Sequence, residues 1–163
     1  MIDPSQLILE DAATKLRELV KSVVFVGGAT LRLLISDTGA APPRATLDVD
    51  VIAEITTYID YVAFSDHLRS LGFGEDDREG APLCRWLHGD LILDLMPLTQ
   101  EVLGFSNPWY RGALEAAQPV ILRNGISIQV ISAPYFLGTK MAAFRNRECT
   151  ISTKAGTLKI LWP

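Results

Sequence analysis

Cysteine is scarce: Cys84 and Cys149 are the only two in 163 residues. That scarcity excludes a disulfide framework and a cysteine-based zinc site, and implies reduced thiols. Histidine is equally rare, and His67 and His88 lack metal-ligand spacing, so both read as structural or surface residues. No apolar run approaches the ~18 residues that a membrane-spanning helix needs. Met1-Ile2-Asp3-Pro4 carries an early acid and no basic segment, so the start of the chain does not read as a secretory signal. An excess of positive charge is missing too. Fifteen Lys and Arg against 19 Asp and Glu leave a net charge of −4. That excludes a basic nucleic-acid wrapper and leaves room for a local basic patch. Repeats and low-complexity tracts are absent. A cytoplasmic protein with no membrane association is expected.

What is present is an ordinary globular composition, 48% apolar, long enough for one domain with a sizeable core. Residues 4–21 have helical apolar spacing through Leu9, Ala12, Ala13, Leu16, Leu19 and Val20. Val23 to Val26 is a continuous apolar run that fits a buried strand, ended by Gly27-Gly28. A short helix from Ala29 to Ile35 is expected next, then a loop around Pro42-Pro43. Leu47 to Ile55 reads as a strand. Thr57 and Asp60 form a capping-box pattern that opens a helix to about Leu71. The charged, glycine-flanked stretch 74–80 reads as a loop. Leu83 to His88 and Asp90 to Met96 read as strands joined at Gly89. Asn107-Pro108 starts a helix that ends near Gln118-Pro119. Arg123-Asn124-Gly125 signals a hairpin between Val120–Leu122 and Ile126–Ile131. Ala133 to Arg147 is the last expected helix. The order α-β-α-β-α-β-β-α-β-β-α predicts an α/β (α+β) domain, a mixed sheet flanked by helices.

Three acids carry the chemical reading. On a strand, Asp48 and Asp50 share one face, roughly 7 Å apart along the chain, while Val49 and Val51 take the other. Paired carboxylates repel, and a divalent cation with oxygen ligands relieves the repulsion. The plain alternative is a surface turn where two acids meet water. Asp94 lies in the most apolar strand, Leu91 to Met96. A buried carboxylate requires a cation, either a metal or an arginine, and Arg32, Arg44 and Arg85 are the candidate partners. If the two strands are neighbours, three carboxylates converge where metal ions assist an in-line phosphoryl transfer. Gly27-Gly28, between a strand and a helix, lets backbone N–H groups approach a phosphate; it is neither a Walker loop nor a dinucleotide fingerprint. Trp86, Trp109 and Tyr110 read as packing aromatics rather than base-stacking ones. Arg145 and Arg147 lie within two turns of Lys140, an arrangement that reads either as a basic edge for RNA phosphates or as solvated surface charge.

Together, Val24 to Thr30, Thr46 to Val51 and Leu93 to Pro97 resemble the nucleotidyltransferase fold of the DNA polymerase β superfamily: a glycine turn, an acid-x-acid strand and a third acid on a later strand. Ala133 to Arg145 resembles the equivalent helix of the abortive-infection (AbiEii-type) toxin nucleotidyltransferases. The resemblance covers residues 20–147. It implies Asp48, Asp50 and Asp94 as catalytic metal ligands, Gly27 and Gly28 at a nucleoside triphosphate, and Lys140 as a phosphate partner. It further implies Mg2+ or Mn2+, transfer of a nucleoside monophosphate to an RNA, tRNA or protein hydroxyl, and a cognate antitoxin protein.

Residues 148–163 depart from that pattern, since relatives continue with an acidic helix. Back-translation of Lys154 to Pro163 in another frame is compatible with such a helix, so a domain over 1–147 and an atypical, frameshifted or truncated tail over 148–163 are expected. Such a tail leaves a second reading open, a catalytically weak or inactive nucleotide- or partner-binding module. A third is a structural domain whose acids form ion pairs.

Overall fold

The computed structural model describes residues 4–37, 39 and 44–154, with side chains described as far as Arg145. Seven strands form one mixed sheet: β1 (Val23–Val26), β2 (Asp48–Ala53), β3 (Gly74–Glu75), β4 (Arg85–His88), β5 (Leu91–Met96), β6 (Gln118–Ile121) and β7 (Ser127–Val130). Their order across the sheet is β3-β4-β5-β2-β1-β7-β6. The helices are α1 (Pro4–Leu16), α2 (Leu31–Leu34), α3 (Tyr58–Ser70), α4 (Gln100–Leu103), α5 (Tyr110–Glu115) and α6 (Ala133–Lys154).

The strands that carry the acids lie at the centre, with the residues between the acids buried. Val49, Val51, Leu93 and Leu95 are fully buried, and α1 packs across β2 and β5. Burial of this kind contributes about 1.5–3 kcal/mol per large aliphatic side chain. β2 runs parallel to β5 and antiparallel to β1. The Thr57 hydroxyl accepts from the Asp60 N–H, and the Asp60 carboxylate accepts from the Thr57 N–H, so the capping box starts α3 as its sequence predicts. The turn at Gly89 and the hairpin through Gly125 both use positive φ, which glycine adopts without strain.

Five elements differ from the sequence expectation. The first helix stops at Leu16, and Arg17, with φ of 49°, turns the chain into a 3-10 segment that still buries Leu19 and Val20. The stretch 74–80 contains a two-residue edge strand, β3, too short to show alternation. α4 is one turn long and was not expected. The helix after Asn107-Pro108 is short: the Asn107 side chain caps the Trp109 N–H, α5 proper begins at Tyr110, and Gln118 already pairs with Val130 in the sheet. The last helix runs on past Arg147 to Lys154. The Pro42-Pro43 loop, the Arg147 side chain and tail residues 155–163 lie outside the described residues.

Candidate functional site

Register puts the acids in one row. Asp50 on β2 is the direct partner of Asp94 on β5, and on its other side of Val26 on β1. Asp94 in turn faces Arg85 on β4. Direct partners present their side chains to the same face, so Arg85, Asp94 and Asp50 stand side by side across three neighbouring strands. Asp48, two residues before Asp50, shares that face.

Of the three arginines that the sequence offers to Asp94, Arg85 holds it. Arg85 Nε donates to Asp94 Oδ1 and Nη2 to Oδ2, both at 2.8 Å. This is the fork-to-fork geometry of a strong charge-assisted pair, and Asp94 is only 5% exposed. The same Nη2 lies 3.5 Å from Asp48 Oδ2. Arg85 is accordingly held well above its ordinary pKa, first by its hydrogen bond to Asp94.

Asp50 has no such partner. Burial, then the charges of Asp48 and Asp94, push its carboxyl up to about 7; Lys140 and Arg85 offset this only in part. The acid sits against the glycine turn. Gly27 has φ of 73°, and a Cβ there would lie 2.8 Å from Asp50 Cγ, so only glycine lets the backbone pass. A Cβ on Gly28 would overlap the Thr46 methyl. Thr30 locks the turn, its Oγ1 donating to the Gly27 carbonyl at 2.9 Å.

A cavity of about 290 Å³ opens over this turn. Gly27, Gly28, Thr46, Asp48 and Asp50 line its sheet side, and Asn107, Tyr110, Thr139 and Lys140 line the side of α5 and α6. Asn107 ties those helices together, its buried Nδ2 donating to the Thr139 carbonyl at 2.9 Å. Lys140 is exposed at the rim, its Nζ 5.7 Å from the Phe136 ring centre. A larger cavity, about 520 Å³, lies beyond α5. Its charged lining residues, Lys21, Glu54, Arg111 and Glu115, are all exposed and none belongs to the acid row.

The structure therefore brings Asp48, Asp50, Gly27, Gly28 and Lys140 to one cavity, with Asp94 beside Asp50 and bound to Arg85. The carboxylates of Asp48 and Asp50 suit one divalent cation, since the second is buried beside like charge without a counterion of its own. Both Asp94 oxygens are engaged by Arg85, and among the described residues no group of three His, Cys, Asp or Glu side chains is placed to hold a metal ion.

Tyr110 packs against the core as its sequence reading expects. It also lines the cavity, and burial, then Asp50, raise its hydroxyl pKa. Trp109 departs from its sequence reading: it is 47% exposed, and meets Tyr135 edge-on and Gly138 instead of entering the core. Asn107 and Thr139 carried no sequence argument as site residues; the Asn-Pro pair before a helix was the one available signal for Asn107. His88 packs edge-on to Phe73.

No family model matches the chain, and no curated protein matches it. Among solved structures, the fold is similar to that of an antigenic nucleotidyltransferase-like protein from Paracoccidioides brasiliensis. The match has a TM-score of 0.54 and 21% sequence identity, and covers 96% of this chain and 70% of that one. The fold is nucleotidyltransferase-like.

Proposed function

We propose that the chain is a divalent-metal-dependent nucleotidyltransferase that moves a nucleoside monophosphate from a nucleoside triphosphate to an acceptor hydroxyl. The observation that carries this reading is the meeting of Asp48, Asp50, the Gly27-Gly28 turn and Lys140 around one cavity. Asp48 and Asp50 hold the cation, Mg2+ or Mn2+, which when bound supplies positive charge against the triphosphate. Gly27 and Gly28 present bare backbone to the phosphates. Lys140 faces them from α6 as a point charge. Asp94 is the third acid of the site, acting from its fixed place beside Asp50. The acceptor oxygen bonds to the α-phosphorus, the bond to the bridging oxygen breaks, pyrophosphate leaves, and the hydroxyl proton passes to a carboxylate or to solvent. Positioning and charge neutralisation supply most of the rate.

The likeness of Ala133 to Arg145 to the AbiEii-type helix favours an RNA acceptor, tRNA in particular, over a protein hydroxyl. The same likeness favours a cytoplasmic toxin with a cognate antitoxin protein as partner. The Arg85–Asp94 pair favours one second reading, a nucleotide- or partner-binding module with weak turnover or none.

Labelled nucleoside triphosphates with Mg2+ and total RNA separate the two. Label transfer and pyrophosphate release that vanish in D48A/D50A are the outcome of the first. Protection against thermal unfolding by nucleotide and Mg2+, without transfer, is the outcome of the second. Neither effect would end both.

A further inference from the structure

Arg85 stands between two acids of the row. One of its terminal nitrogens contacts two acids of the row, Asp94 at 2.8 Å and Asp48 at 3.5 Å. Its Nε completes the fork on Asp94, so neither oxygen of that carboxylate is left without a cation. Asp94 is buried, and a carboxylate so placed beside two others requires a counter-charge at all times. A guanidinium supplies that charge permanently, because it does not deprotonate in proteins. The partner is set by strand register, not by a mobile loop: Arg85 lies directly across from Asp94 on the adjacent strand. A second divalent ion on Asp94 would share a carboxylate with this guanidinium and be repelled by it at close range.

We propose that Arg85 is the built-in second cation of the site, filling the place between Asp94 and Asp48, so that the chain binds one divalent ion, on Asp48 and Asp50. The inference rests on the metal-dependent reading above and deepens it. Arg85 acts as a positioning residue: it fixes Asp94 and limits the site's metal stoichiometry.

Titration with Mn2+ alone, without nucleotide and read by electron paramagnetic resonance, tests it. The expected result is one Mn2+ per wild-type chain, lost in Asp50→Asn. Arg85→Met gains a second Mn2+, and Asp94→Asn in that background removes it again. Arg85→Lys, which keeps a positive charge, stays at one. Two ions on the wild type would overturn the role of Arg85 and leave the metal-dependent reading standing. A folded Arg85→Met that still binds one ion would overturn it as well. No ion on the wild type, either alone or with a non-hydrolysable nucleoside triphosphate added, would overturn the metal-dependent reading, and the inference with it. Should Arg85→Met fail to fold, by circular dichroism, the wild-type stoichiometry decides alone.

Discussion

Gly27 and Asp50 occupy space that no larger residue at position 27 would leave to both. The backbone there has φ of 73°, and a methyl group would come within 2.8 Å of Asp50 Cγ and 3.0 Å of its Cβ. Gly27→Ala is expected to cost about 1–3 kcal/mol from the left-handed backbone alone, and to rotate the Asp50 carboxylate away from Asp48. Stability should fall in urea denaturation, and cation binding should weaken with it. Gly74→Ala is the control: nothing lies within 4 Å of its built Cβ, and its cost should stay within about 0.5 kcal/mol. Equal effects at the two positions would refute the packing argument.

Asp50 gives the fold a pH dependence of defined sign. An unperturbed aspartate titrates near 3.8, whereas burial, Asp48 and Asp94 bring this one up to about 7. The folded chain thus holds the proton more tightly than the unfolded chain. The contribution of Asp50 to stability is fully present below about pH 4 and is lost as pH rises toward 7. Asn at this position has no proton to lose. Asp50→Asn should raise stability at pH 8, in the absence of divalent ions, by on the order of 2 kcal/mol, and change it little near pH 4. Mg2+ should stabilise the wild type at pH 8 and leave the variant unchanged. A gain equal at both pH values would show that charge is not its cause.

Asn107 should matter more than a loop residue usually does. Its side chain donates to the Thr139 carbonyl at 2.9 Å and accepts from the Trp109 N–H at 3.1 Å, joining α5 to α6 beside the cavity. Asn107→Ala leaves both partners without this side chain and should cost about 2 kcal/mol. Asn107→Asp keeps the acceptor but sets a buried carboxylate against the Thr139 carbonyl, so at pH 7 it should fall below Ala. Thermal unfolding ranks the three chains; an Asn107→Ala chain as stable as the wild type would refute the two-bond account.

The central strands and their acids were legible because burial on one face and charge on the other leave a period-two pattern, as in Asp48-Val49-Asp50-Val51. The capping box at Thr57 and the hairpin glycine at Gly125 were legible for the same local reason: each turn or cap demands a particular residue type. The choice of Arg85 over Arg32 and Arg44 for Asp94 lay in the register of the Gly89 hairpin, which sets Arg85 across from Asp94; that β2 becomes the other neighbour of β5, bringing Asp50 beside Asp94, was not legible, because sheet order is a fact no local window contains. Trp109 was misread because an aromatic at a helix start has the same sequence spacing whether it enters the core or lies half exposed against a neighbouring helix. β3 was invisible for want of length.

The pair between Arg85 and Asp94 closes on a thermodynamic cycle. Replacing Arg85 by Met leaves a carboxylate that is 5% exposed beside two other acids. The cost should be roughly 3 kcal/mol, most of it the penalty of an uncompensated buried charge. Asp94→Leu in the same chain removes that charge and keeps the volume, so Arg85→Met/Asp94→Leu should be more stable than Arg85→Met alone. The order is counter-intuitive, since the double variant has lost more of the native contacts, and that makes it diagnostic. The measurement needs a chelator present, because a divalent ion on Asp94 would rescue the single variant and hide the difference. Removing the chelator and adding Mn2+ should then stabilise Arg85→Met and leave the double variant, which lacks the Asp94 carboxylate, with a smaller gain. If the two variants unfold at the same denaturant concentration under chelation, Asp94 tolerates its burial without the arginine, and the electrostatic account of the row fails at its centre.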